Sequence, residues 1–351
     1  MDSSKVILGT AAMTSVGFCT RQTATSVQAG ISRIRDTDWE DKDLNPFRGG
    51  FVPDDCLQPL HRKTHDVPAD SVGARLLQLG APALREIAGL PIQSKSYLPV
   101  IVGISSNEQL PLGSDELFLD NLMRQAQIRI DLAASEVVVS TRAAGLVAVD
   151  NACRRLEQGF PGPIIAGGID SYFDLARLVD LDFAERILNE SNLDGFLPGE
   201  GAGLVLIANA DYAAKEGLGG ARIAALATTR HHDGTSNGST FGDGLSETID
   251  KLLSGIPDEY LPCRRVYTNL NGESQGAKEW GVCYLRNRSR FSEDYELLHP
   301  AEFMGDSGAA MGPIEIGLAF DGITNGYAAD SSLIWASSDE GEYSALYVVP
   351  M

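Results

Sequence analysis

The chain has no apolar run approaching the roughly 18 residues that a membrane-spanning helix needs. Its opening run, Val6-Ile7-Leu8, is ended by Gly9, too short for the core of a secretion signal. No membrane association and a cytoplasmic location are therefore expected. Basic residues are scarce as well: 28 Lys and Arg stand against 48 Asp and Glu, a formal charge of −20 over 351 residues. Nucleic acid and anionic membranes both require a basic footprint, so neither is an expected partner. The five cysteines, at 19, 56, 153, 263 and 283, are odd in number and show no C-x-x-C spacing. That excludes a disulfide framework and a zinc site from the expectations and leaves reduced thiols. Low-complexity tracts and flexible linkers are lacking too.

What is present is a soluble α/β pattern, 43% hydrophobic and 22% charged. Two halves can be made out, 1–210 and 211–351, packed as one unit. Each opens on a strand-like run (Val6-Ile7-Leu8; Ala221-Arg222-Ile223-Ala224). Each closes on a glycine-led turn entering an apolar strand, Gly199 to Ile207 and Gly341 to Val349, which suggests duplication of one unit. Leu98 to Gly103, Glu136 to Val139 and Pro163 to Gly168 read as buried strands and turns. Leu146, Val149, Cys153 and Leu156 share one helical face. Strand–helix–strand order predicts parallel crossovers and a layered architecture. Residues 36–70 read as a long surface excursion.

Five motifs carry a resemblance. They are Val6-Ile7-Leu8-Gly9-Thr10-Ala11-Ala12-Met13-Thr14-Ser15-Val16-Gly17, Ser140-Thr141-Arg142-Ala143-Ala144-Gly145, Ile165-Ala166-Gly167-Gly168-Ile169-Asp170, Leu193-Asp194-Gly195-Phe196-Leu197-Pro198-Gly199-Glu200-Gly201-Ala202-Gly203, and Gly305-Asp306-Ser307-Gly308-Ala309-Ala310-Met311-Gly312. In this order they resemble the β-ketoacyl synthases of the thiolase superfamily, the fourth most specifically. The resemblance implies a thiolase fold: duplicated βαβαβ halves in a five-layered α-β-α-β-α architecture. Its structural motif residues here are Gly167, Gly168, Gly199, Glu200, Gly201 and Gly203. The glycines at 199, 201 and 203 precede a strand, whereas a dinucleotide fingerprint opens a helix, so nucleotide binding is the weaker reading.

The resemblance also implies a catalytic Cys-His-His set, and here the chain departs from it. The matching positions hold Arg142, Asn271 and Asp306, and the family's lysine five residues before the second histidine is Ala301. Glu273 and Gln275 replace the threonines that contact the pantetheine arm, while Thr235 matches a threonine at the acyl-pantetheine entrance. Asp150-Asn151-Ala152-Cys153 imitates a nucleophile motif, but Cys153 lies 14 residues before Gly167, against 25 for Arg142, and belongs to an apolar helical face. A core cysteine is the better reading. A guanidinium in a recessed pocket needs an anion, because a helix N-terminus repels cations. An Arg142–Asp306 ion pair is therefore expected, with Glu273 one turn away.

Other constellations are weaker. Arg230-His231-His232-Asp233 is read as a loop rather than a metal site, with no third ligand evident. Ser140, Ser274 and Ser307 lack a His–Asp relay. Asp306 with Glu273 as paired acid–base carboxylates lacks a substrate-orienting group. No cofactor and no metal are expected. Loss of the nucleophile, both histidines and the lysine together points to a non-catalytic partner or adaptor subunit, of the kind represented by chain-length factors or by thiolase-like proteins beside secretion effectors. Partners on that reading are a second copy or another thiolase-fold protein, or an effector or secretion-system protein. Val137, Val138 and Val139 match the strand through which the family dimerises. The alternatives are an acyltransferase or 3-oxoacyl-ACP synthase with an altered site, in fatty-acid or polyketide-type metabolism, and a binding module that keeps an acyl or coenzyme A pocket.

Overall fold

Short apolar runs separated by amphipathic helices give the order seen in the computed structural model, which describes residues 4–92, 97–105, 114–231, 241–328 and 330–351. The first half holds β1 (Lys5–Thr14), α1 (Thr20–Gln28), β2 (Arg35–Glu40), β3 (Pro46–Gly49), α2 (Val72–Ala88), β4 (Val100–Ser105), α3 (Asp115–Ala126), β5 (Glu136–Ser140), α4 (Ala144–Glu157), β6 (Ile164–Ser171), α5 (Leu175–Phe183), β7 (Glu200–Asn209) and α6 (Ala210–Glu216). The second holds β8 (Ala221–Arg230), α7 (Asp243–Ser254), β9 (Cys263–Thr268), α8 (Ser274–Asn287), β10 (Phe291–Leu298), α9 (Ala301–Met304), α10 (Met311–Thr324), β11 (Ser332–Ser337) and β12 (Glu342–Pro350).

Ten strands form one continuous sheet in the order β10-β9-β11-β12-β8-β1-β7-β6-β4-β5. The halves meet at a short antiparallel seam, where Lys5, Val6 and Ile7 of β1 face Ile223, Arg222 and Ala221 of β8. Each half contributes five strands. Helices α4 and α10 pack between the two halves of the sheet, α2 and α3 cover the outer face of the first, and α7 and α8 that of the second. This is the five-layered thiolase architecture. Parallel crossovers join β4, β5 and β6, and β9, β10 and β11; β7 and β12 run antiparallel to their neighbours, β12 following β11 through a short turn.

The layers explain the burial pattern. One core joins Leu146, Val149, Cys153 and Leu156 of α4 to Ile314 and Leu318 of α10 and to strands of both halves. Separate cores lie beneath α2–α3 and beneath α7–α8. Helix α10 is buried around most of its circumference because both sheet halves surround it. The excursion at 36–70 is more ordered than its composition predicts. It folds into the β2–β3 hairpin and buries Phe47 against Tyr172 and Phe196, while Val52 joins the α2 core.

Candidate functional site

Strand β5 ends at Ser140, and α4 begins at Ala144. The intervening turn points Arg142 into the interior, where it is 9% exposed. Asp306 is fully buried, on the turn between α9 and α10. That turn needs glycine. Gly305 has φ +75°, and a Cβ there would lie 2.4 Å from the Pro198 carbonyl oxygen. The backbone of Asp306 is thereby locked between Leu197 and Gly199, donating to one carbonyl and accepting from the other N–H at 2.8 Å each.

The two side chains meet. Arg142 Nε lies 3.0 Å from Asp306 Oδ2. The contact is an ion pair, not an aligned hydrogen bond, since the Nε–H does not point at the carboxylate. Arg142 Nη2 instead donates to the Asn269 carbonyl at 2.7 Å. Asn271 Nδ2 donates to Asp306 Oδ2 at 2.9 Å and to Glu273 Oε2 at 3.1 Å, and Gly308 N–H donates to Asp306 Oδ1 at 2.9 Å. The residues at the three catalytic positions of the resemblance, Arg142, Asn271 and Asp306, thus lie together in one hydrogen-bonded and ionic cluster.

Two members had no signal in the sequence. Arg186 forks onto Glu273, with Nε and Nη2 each 2.8 Å from a carboxylate oxygen. It also donates to Asp339 at 2.8 Å through Nη1. Asp339, between β11 and β12, lies 3.6 Å from Arg142 Nη1, and Glu273 lies 3.9 Å from the same atom. Two guanidiniums therefore face three carboxylates. Burial opposes the charge of Arg142, but Asp306 and Asp339 outweigh it and raise its pKa above the ordinary guanidinium value. Burial pushes the Asp339 carboxyl up, yet Arg142 and Arg186 prevail and hold it below the ordinary value. Arg142, Arg186, Asn271, Glu273 and Asp339 of this cluster line a cleft of about 300 Å³ together with Gln275, Glu279 and Tyr343.

Among the described residues, no thiol or imidazole lines that cleft. Cys153 sits on the buried face of α4, its thiol pushed up to about 12 by burial. Ala301 is buried on α9. The serines stand apart from any relay: Ser140 Oγ donates to Glu342, Ser274 Oγ to Asp194, and Ser307 Oγ is buried and unpaired among the described residues. His231 Nε2 lies 3.0 Å from Glu247, and no group of three metal-ligating side chains forms among the described residues. His232, Asp233 and Thr235 lie outside the described residues.

The glycine motifs form a packing platform. Gly168 of β6 pairs with Gly203 of β7, and Gly167 with Leu204. A Cβ on Gly168 would lie 2.0 Å from the Ala309 carbonyl oxygen, so glycine here lets the start of α10 rest on the sheet. Gly199 and Gly201 flank Glu200, which is fully buried and accepts from Arg75 Nε at 2.9 Å, Arg75 Nη2 at 2.7 Å, Ser171 Oγ at 2.7 Å and Val52 N–H at 2.7 Å. Glu200 thus ties α2 and the 36–70 excursion to the sheet. Strand β5 is the last of the ten. Val137 is buried and Val138 partly so, while Val139 is 54% exposed on this unpaired edge.

Residues 127–213 match the family model "Beta-ketoacyl synthase, N-terminal domain". Among solved structures, the fold matches a chain of the AntDE:AntF complex, a type II PKS acyl-carrier protein with its ketosynthase bound to the hexaketide. Identity is 14%, the TM-score 0.78, and both chains are covered to 100%. The ishigamide ketosynthase/chain length factor matches at 16% identity and TM-score 0.76, again over 100% of each chain. The ketosynthase from module 6 of the Bacillus subtilis bacillaene synthase matches at 13% and 0.78, over 99% of this chain and 72% of that one. No curated protein sequence matches. The molecule has the thiolase-superfamily fold of ketosynthases and chain length factors. No helix among the described residues is long and apolar enough to cross a membrane.

Proposed function

We propose that this chain is a non-catalytic ketosynthase-like subunit that works by pairing with another thiolase-fold protein along β5. The observation that carries the reading is the Arg142–Asp306 pair. A permanently charged guanidinium, ion-paired at 3.0 Å and held by the Asn269 carbonyl, stands at the position that the resemblance assigns to the thiolate of a condensing enzyme. A protonated guanidinium has neither a sulfur to carry a thioester nor a free nitrogen lone pair to attack an acyl group, and the neighbouring Asn271 and Asp306 supply no imidazole to stabilise an oxyanion. Two further observations support pairing. β5 ends the sheet, paired with β4 on one side and with no strand among the described residues on the other, and exposes Val139; the ishigamide protein of the same fold is described as a ketosynthase/chain length factor. The polar cluster and the loss of the pantetheine-binding threonines weigh against a retained acyl or coenzyme A pocket.

Affinity capture of the tagged full chain from its native cell tests the proposal, combined with intact-mass measurement after incubation with acyl-coenzyme A and acyl-carrier protein. Recovery of a cysteine-bearing ketosynthase paralogue, with no acyl adduct on this chain, is the expected result. An effector or secretion component recovered instead would replace the ketosynthase partner with an adaptor role. An acyl adduct on any residue of the cleft, or condensation by the purified chain, would restore an altered-site acyltransferase.

A further inference from the structure

A second cleft, of about 560 Å³, is lined by the turn after β1, by α1, by the segment that leads into β2 and by the segment following β3. We propose that it binds a phosphorylated small molecule whose non-phosphate portion is apolar. Its charge is the first argument. The chain carries −20, and four other clefts among the described residues are each lined by at least one carboxylate. This one is lined by none, and by Arg21, Arg33 and Arg35. Arg21 is paired with Asp321 at 2.9 Å, and the adjacent Asp55 is engaged by Cys56 Sγ–H at 3.6 Å. The guanidiniums of Arg33 and Arg35 form no ion pair among the described residues, and both side chains are exposed. Guanidinium forks match phosphate oxygens bidentately.

The second argument is polar and buried. Ser15, 7% exposed, lines the cleft, and its Oγ has no hydrogen-bond partner among the described residues. The third is apolar. Phe18, 46% exposed, and Val16 line the same space, and its volume falls in the range of small-ligand clefts. Nothing in this cleft belongs to the Arg142 cluster, so the proposal stands or falls independently of the proposed function.

Calorimetric titration of the full chain with phenyl phosphate, inorganic phosphate and phenol tests it, alongside the R33Q/R35Q and F18A variants. These side chains are exposed, so an unchanged melting temperature reports intact folding. Expected are binding of phenyl phosphate, no binding of phenol, and a loss of affinity of roughly tenfold or more in R33Q/R35Q, the effect of losing a charge-assisted contact. F18A should weaken phenyl phosphate several-fold and leave inorganic phosphate unchanged. Absence of phenyl phosphate binding, or binding that R33Q/R35Q leaves intact, would overturn the site. Equal affinities for phenyl phosphate and inorganic phosphate would overturn its apolar half.

Discussion

Asp306 faces Arg142 with one carboxylate oxygen, 3.0 Å from Nε, and accepts the Gly308 N–H with the other at 2.9 Å. A single side chain thus neutralises the buried cation and fixes the turn that enters α10. The arrangement ties the first half of the chain to the second at the point where the resemblance places a nucleophile and a histidine.

Because both groups are buried, removing one should cost far more than removing both. R142M leaves Asp306 uncompensated and should destabilise the fold by about 3–5 kcal/mol. In R142M/D306N the neutral amide keeps the Gly308 acceptor, and more than half of that loss should return. Urea unfolding of the four species closes the cycle. A double variant no more stable than R142M would show that the pair is not what holds these residues.

Glu315 on α10 is fully buried, and both of its carboxylate oxygens lack partners among the described residues. Burial, with Asp306 nearby, raises its pKa well above the ordinary carboxylate range. The folded state therefore keeps a proton that the unfolded chain releases. Its stability is fully present below the ordinary carboxylate pKa and falls as pH rises from there toward the raised value. E315Q should flatten this slope and raise the melting temperature at pH 8, with little change at pH 4. Parallel wild-type and E315Q melting curves across that range would contradict the assignment.

Thiol chemistry should avoid the core. Burial pushes Cys153 and Cys283 up to about 12 and Cys263 to about 11, whereas Cys56 is exposed and Cys19 partly so. Ellman titration of the native chain at pH 8 should register Cys56 fast and Cys19 more slowly, with the other three appearing only in denaturant. Rapid labelling of Cys153, located by peptide mapping, would reopen it as a nucleophile.

Pairing along β5 should depend on its exposed apolar side chain. V139D places a charge on the strand edge, where a partner strand would have to bury it. The association state measured by sedimentation, or recovery of the captured partner, should drop at least tenfold while the melting temperature of the isolated chain changes little. Undiminished association of V139D would move the interface elsewhere.

Glu200 offers a check on the glycine motif. Its carboxylate joins Arg75, Ser171 and the Val52 N–H, so E200A leaves the largely buried Arg75 guanidinium with only the exposed Asp54 carboxylate and the Val52 carbonyl. A loss of about 3–5 kcal/mol is expected, together with early proteolysis within 36–70. Wild-type resistance in E200A would mean that the excursion is held by Phe47 and its neighbours alone.

The sequence by itself determined the strands at the openings and ends of the two halves, those leading into Gly103, Ser140 and Gly168, the helix that carries Leu146 and Leu156, and the glycine motifs. These are local properties: periodicity, turn chemistry and residue identity read in place. It also held enough to pair Arg142 with Asp306, because a buried cation demands an anion and the motifs named the candidates. Tertiary structure alone decided the rest. Arg186 and Asp339 enter the cluster from segments without any recognisable pattern, and the 36–70 excursion is anchored by Glu200 across the sheet. The seam between β1 and β8 joins two sheets into one. Each of these contacts spans a separation over which hydrophobic periodicity carries no information, and each is set by sheet register and by the requirement that buried charge be neutralised.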